Sequence, residues 1–146
     1  MRNPAQQLRS SLIQNFVMIE NRDFSSVSEE EMHQWLSSEF AQRKSNLQDV
    51  IQKWTSHVPP KQIFIGAYEE IKNNPEVLIQ NIYNFLGLDG NFIPDEKFYK
   101  KKINNLTKPS YIIPETIENM IDVQCRIDHN FVKDNYPHLT QYWSTS

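Results

Sequence analysis

Apolar residues recur at helical spacing along most of this chain, and one run near its middle breaks the pattern. Leu8, Leu12 and Phe16 share a stripe, predicting a first helix that Asn3 caps, Pro4 opens and that ends at about Ile19. After a polar loop, Ser28-Glu29-Glu30-Glu31 reads as a capping box for a second helix, with Met32, Trp35 and Leu36 as its buried face. Phe40, Leu47, Val50, Ile51 and Trp54 fit a third helix from about Glu39 to Ser56, which Pro59-Pro60 ends.

The exception is Gln62–Tyr68, an apolar, β-branched run too short for a core helix and bounded upstream by prolines. It predicts a strand, of the kind covered on both faces in a parallel sheet. Asn74-Pro75 then starts a helix with Leu78, Ile79, Ile82, Tyr83 and Leu86 on one face, closed by Gly87. From Leu88 to Ile113 little periodicity remains, and a loop of that length inside a domain is usually functional or mobile. It holds Lys97, Lys100, Lys101, Lys102 and Lys108. Pro114 opens a terminal helix with Ile117, Met120, Ile121, Ile127 and Phe131 on its stripe, ending before Tyr136-Pro137.

The 146 residues, 38% of them hydrophobic, fit one globular domain. No apolar stretch is long enough to span a bilayer, and no signal-peptide pattern opens the chain, so a cytoplasmic protein away from membranes is expected. A net charge of −3 argues against a nucleic-acid surface, so any anion site must be local. The lone Cys125 and the scattered His33, His57, His129 and His138 give no metal-ligand spacing, and no metal is expected.

One local anion site suggests itself at the start. Arg2 stands beside a helix N-terminus, where backbone N–H groups point outward. At about 100° per residue Ser10 lies well off the apolar stripe, so its hydroxyl is free of packing, and arginine and hydroxyl together can grip one phosphate. The same residues also suit an ordinary helix start.

Arg2-Asn3-Pro4 with Ser10 eight positions after the arginine resembles the segment of the sulfotransferase family that holds the 3′-phosphate of 3′-phosphoadenosine 5′-phosphosulfate (PAPS). The order that follows is also similar: a helix ending in Trp54, a proline turn, an apolar run into Tyr68-Glu69-Glu70, the Asn74-Pro75 helix, and Phe85-Leu86-Gly87. Glu70 stands where Asp is more usual in the family. The resemblance implies an α/β fold, the C-terminal part of a P-loop-like three-layer architecture, mostly helical with one core strand at 62–68. It also implies sulfuryl transfer from PAPS to a hydroxyl or amine of a small-molecule or glycan acceptor. Arg2 and Ser10 would bind the 3′-phosphate, and Lys102 and Asn104 in the late loop would approach the cofactor, although Lys100-Lys101-Lys102 also reads as a solvated charge run.

The family's glycine-rich cradle for the 5′-phosphosulfate has no counterpart among Gly66, Gly87 and Gly90, and the acceptor-activating base is not identifiable. The chain therefore reads as a single partial domain over 1–146, inactive alone, whose sheet an upstream segment or second chain completes. The rival expectation is a non-catalytic helical interaction module on the same scaffold. Adjacent Glu69 and Glu70 cannot easily share a substrate proton, and capping or pairing is the role expected of them. Cys125 is expected to be a small buried residue.

Overall fold

A computed structural model of the chain describes residues 1–92, 95 and 111–143. α1 (Pro4–Gln14) starts at the expected cap: Asn3 Oδ1 accepts from the Ala5 and Gln6 N–H groups at 3.0 and 3.3 Å. Leu8 and Leu12 are fully buried along its stripe. The helix widens into a π-type turn over Asn15–Ile19, which carries Phe16 inward and leaves Met18 and Ile19 exposed.

α2 (Glu29–Leu36) has both halves of the capping box, Ser28 N–H to Glu31 Oε2 at 2.9 Å and Glu31 N–H to Ser28 Oγ at 3.3 Å. Arg22 reaches across to the same carboxylate at 2.7 Å. These donors hold the Glu31 carboxyl at about 2, against an ordinary 4.5, with the Arg22 hydrogen bond the larger cause.

The single third helix expected from Glu39 to Ser56 is two helices, α3 (Glu39–Lys44) and α4 (Leu47–His57). The break has a cause distant in sequence. Asp128, on α7 (Glu115–Asn135), accepts from Leu47 N–H at 2.7 Å and Gln48 N–H at 2.8 Å, so α4 is capped by another helix. Of the expected stripe Ile51 is buried, but Phe40, Val50 and Trp54 are exposed, and Ala41 is buried in α3 instead. Ile127, expected on the α7 stripe, is exposed, because the buried face of that helix runs through Ile117, Ile121, Cys125, Asp128 and Val132.

The expected strand at 62–68 does not form. Pro60–Gln62 is a 3-10 turn, and no strand is present among the described residues, so the α/β, P-loop-like architecture is not what they build. A strand is defined by its ladder, and the exchange seen here is with Met1: the Met1 nitrogen donates to the Gly66 carbonyl and Tyr68 N–H to the Met1 carbonyl. That is the parallel pairing pattern for one residue. α5 (Glu70–Asn73) and α6 (Pro75–Phe85) follow, the latter at the Asn74-Pro75 start read from the sequence but with none of its residues fully buried. α8 (Pro137–Thr140) comes after α7.

Two apolar clusters result. Leu8, Leu12, Phe16, Met32, Leu36, Ile117 and Ile121 form the first, and Ala67, Val132, Leu139 and Trp143 the second. The α7 helix contributes to both, with Asp128 between its two contributions.

Replacing Asp128 by Ala leaves the Leu47 and Gln48 N–H groups without their acceptor and should cost about 1–3 kcal/mol in urea unfolding, with Asp128→Asn costing less. Glu31 gives a pH signature. Its folded pKa is depressed, so its contribution is complete above 4.5 and is lost as pH falls toward about 2. Urea midpoints at pH 5 and pH 2.5 should therefore differ more for wild type than for Glu31→Gln.

Candidate functional site

The pairing of Met1 with the Gly66–Tyr68 backbone delivers Arg2 to the ring of Tyr68. The guanidinium carbon lies 5.3 Å from the ring centroid, within the range of a cation–π contact. Arg2 forms no ion pair among the described residues, unlike Arg9, Arg22 and Arg43, each of which meets a carboxylate. Its Nε is closed off from solvent with no hydrogen-bond partner, and so are both carboxylate oxygens of Glu69. A cation held by an aromatic face and left without a counter-charge is suited to receive an anion.

The N–H groups that the sequence offered to such an anion are already engaged. Pro4 has none, Ala5 and Gln6 donate to the Asn3 side chain, and Gln7 N–H donates to the Asn3 carbonyl at 2.9 Å. Any grip at this end of α1 is therefore made by side chains rather than by the peptide backbone. Ser10 is half-buried on α1, and its hydroxyl makes no hydrogen bond among the described residues. It sits about 10 Å along the axis from Asn3, and no bond joins it to Arg2. Lys102 and Asn104, with the other lysines of their loop, lie outside the described residues.

Sequence reasoning missed the contact between Tyr68 and Arg2. Tyr68 was legible as part of a triplet but not as the platform for Arg2, because nothing local pairs residue 68 with residue 2. Glu70, expected to cap or pair, is one of two buried acids among the described residues, its Oε2 accepting from Ala67 N–H at 2.9 Å.

A cavity of about 410 Å³ flanks the other side of α1, lined among others by Asn3, Gln6, Arg9, Arg126, His129 and Trp143. Neither Arg2 nor Ser10 lines it. Arg9 is committed there to Glu118 and, at 3.0 Å, to Asp122. Cys125 is 2% exposed, and burial first, then Asp128 and Asp122, push its thiol up to about 12. No group of three His, Cys, Asp or Glu side chains is placed to hold a metal among the described residues. No helix among them is long and apolar enough to cross a membrane.

A family model described as the sulfotransferase domain matches residues 1–144. The chain belongs to the sulfotransferase domain family. No curated protein and no solved structure matches it. Sulfotransferases generally draw the sulfuryl group from PAPS, whose phosphates and sulfate are the kind of anion an unpaired arginine receives. In this sulfotransferase-domain chain Arg2, unpaired among the described residues, stands at the start of α1, and the buried Cys125 lies away from it.

Native protein at pH 8 should leave Cys125 unmodified by a thiol-specific chromogenic reagent, because the thiolate is scarce and the sulfur enclosed, whereas the urea-unfolded chain should react fully.

Proposed function

We propose that this chain supplies the 3′-phosphate clamp of a PAPS-dependent sulfotransferase acting on a hydroxyl or amine of a small-molecule or glycan acceptor in the cytoplasm. The observation that carries the reading is Arg2, a guanidinium held on the Tyr68 ring with no carboxylate paired to it among the described residues. Family membership over residues 1–144 supports it. Arg2 supplies charge and a forked pair of donors, and Ser10 supplies an unengaged hydroxyl from the same helix. Lys102 and Asn104 enter the proposal through the resemblance of their loop alone.

Bound PAPS would supply the activated sulfuryl group, and transfer of such a group depends chiefly on positioning and on donors placed where negative charge develops. The glycines of this chain form no phosphate cradle. Gly66 sits in the extended run, Gly87 ends α6 at φ of 71°, and Gly90 lies in the turn beyond it. The 5′-phosphosulfate contacts are therefore assigned to an upstream segment or a second chain, and the chain alone is inactive in this reading.

The exposed face of α6 favours a second reading, a non-catalytic interaction module. Val77 and Phe85 on α6, and Leu86 and Leu88 just beyond it, are exposed apolar side chains of the kind a protein partner covers. Labelled PAPS separates the two readings. Sulfuryl transfer restored by adding the segment that carries a glycine-rich loop supports the enzyme, and none on any acceptor supports the module.

Adenosine 3′,5′-bisphosphate should bind the chain in calorimetry, and Arg2→Ala should weaken it by about 1.5–3 kcal/mol, the range for hydrogen bonds to charged groups. Equal affinities would remove the clamp.

A further inference from the structure

We infer that Glu70 is a positioning residue for Arg2: its buried carboxylate fixes the Ala67–Tyr68 backbone on which the Arg2 guanidinium rests. The inference builds on the reading of Arg2 as an anion clamp. Glu70 is 7% exposed and Ala67 2%. Their bond, Ala67 N–H to Glu70 Oε2 at 2.9 Å, is a charge-assisted hydrogen bond closed off from water.

The backbone geometry says why Ala67 needs it. N–H groups of neighbouring residues in an extended segment point to opposite sides. Tyr68 N–H faces Met1 and bonds its carbonyl, so Ala67 N–H faces away, where a second strand would ordinarily accept it. Among the described residues no strand lies there. Glu70 folds back through the first turn of α5 and takes that place. Three consecutive residues are thereby fixed, Gly66 and Tyr68 by Met1 from one side and Ala67 by Glu70 from the other.

The arrangement continues into the C-terminal tail. Tyr142 donates its hydroxyl to Glu70 Oε1 in a long contact of 3.4 Å, and Tyr142 and Met1 both pack against the cluster of Ala67, Val132, Leu139 and Trp143. Arg2 follows Met1 directly, and Tyr68 follows Ala67. The two groups that meet at 5.3 Å thus stand on the two backbones that Glu70 and the tail hold together. Without the carboxylate, Ala67 N–H loses its acceptor, and on that side only the 3.2 Å bonds from Glu70 N–H to the Ala67 carbonyl and from Ile71 N–H to the Tyr68 carbonyl still hold the segment, which loosens the ring under the guanidinium.

The test uses the full 146-residue chain. The first readout is the Arg2 Nε–H resonance, displaced by the ring current of Tyr68 and assigned by its loss in Arg2→Ala. The second is affinity for adenosine 3′,5′-bisphosphate. Glu70→Met, which fills the space without an acceptor, should return the resonance toward its unstructured position and weaken binding about five-fold, whereas Glu70→Asp should keep both near wild type. Arg2→Ala with Glu70→Met should bind no more weakly than Arg2→Ala alone, a coupling that a general loss of stability would not produce.

An unmoved resonance in a folded Glu70→Met, or losses that add in the double variant, would overturn the inference. Should Glu70→Met not fold by circular dichroism, Glu70→Gln must move the resonance in the same direction by a smaller amount, and no movement overturns the inference equally. If Arg2→Ala leaves the affinity unchanged, the clamp reading falls, and the resonance still decides whether Glu70 positions Arg2.

Discussion

The N-terminal end of the molecule depends on one exchange of main-chain hydrogen bonds, between Met1 and the two residues that flank Ala67. That exchange joins parts of the chain more than sixty residues apart, and loop closure over such a span carries an entropic cost that the pair alone does not offset. What supports it is the apolar cluster beneath, where Met1 and Ile65 pack against Ala67, Val132, Leu139 and Trp143. The C-terminal helix and tail therefore act on the first residues of the chain, and the placing of Arg2 is a tertiary result rather than a property of its own helix.

The same long helix organises the other end. Through Ile117, Ile121 and Cys125 it closes the cluster around Leu8 and Leu12, and through Asp128 it caps α4. A buried carboxylate is costly unless its lone pairs are engaged. Here two peptide N–H groups and the positive end of a helix engage it, which makes the junction of α4 and α7 specific in register as well as stable.

What was legible in the sequence was local chemistry. Asn3-Pro4, the Ser28 capping box, the Asn74-Pro75 start and the Pro114 start each act within a turn of backbone, and each helix begins where those residues say. Reading failed where the deciding partner was remote. Asp128 breaks the 39–56 pattern from about eighty positions away, and of the expected stripe Ile51 is buried while Phe40, Val50 and Trp54 are exposed and Ala41 is buried instead. Gln62–Tyr68 has the composition of a strand, but composition supplies no neighbour. At the proposed site, Arg2 and Ser10 are expected from their spacing together with the family resemblance, whereas the ring under Arg2 could not be read, because its meeting depends on Met1 finding Gly66.

Asn3 has a consequence for how this site can change over evolutionary time. By occupying the Ala5 and Gln6 N–H groups itself, it makes the start of α1 self-sufficient, with no ligand needed to satisfy the helix end. Under the clamp reading proposed above, folding and anion capture are separable, since one rests on residue 3 and the other on residue 2. On that reading the charge at position 2 can be lost or restored while the helix behind it stays intact, and ligand binding changes without the fold.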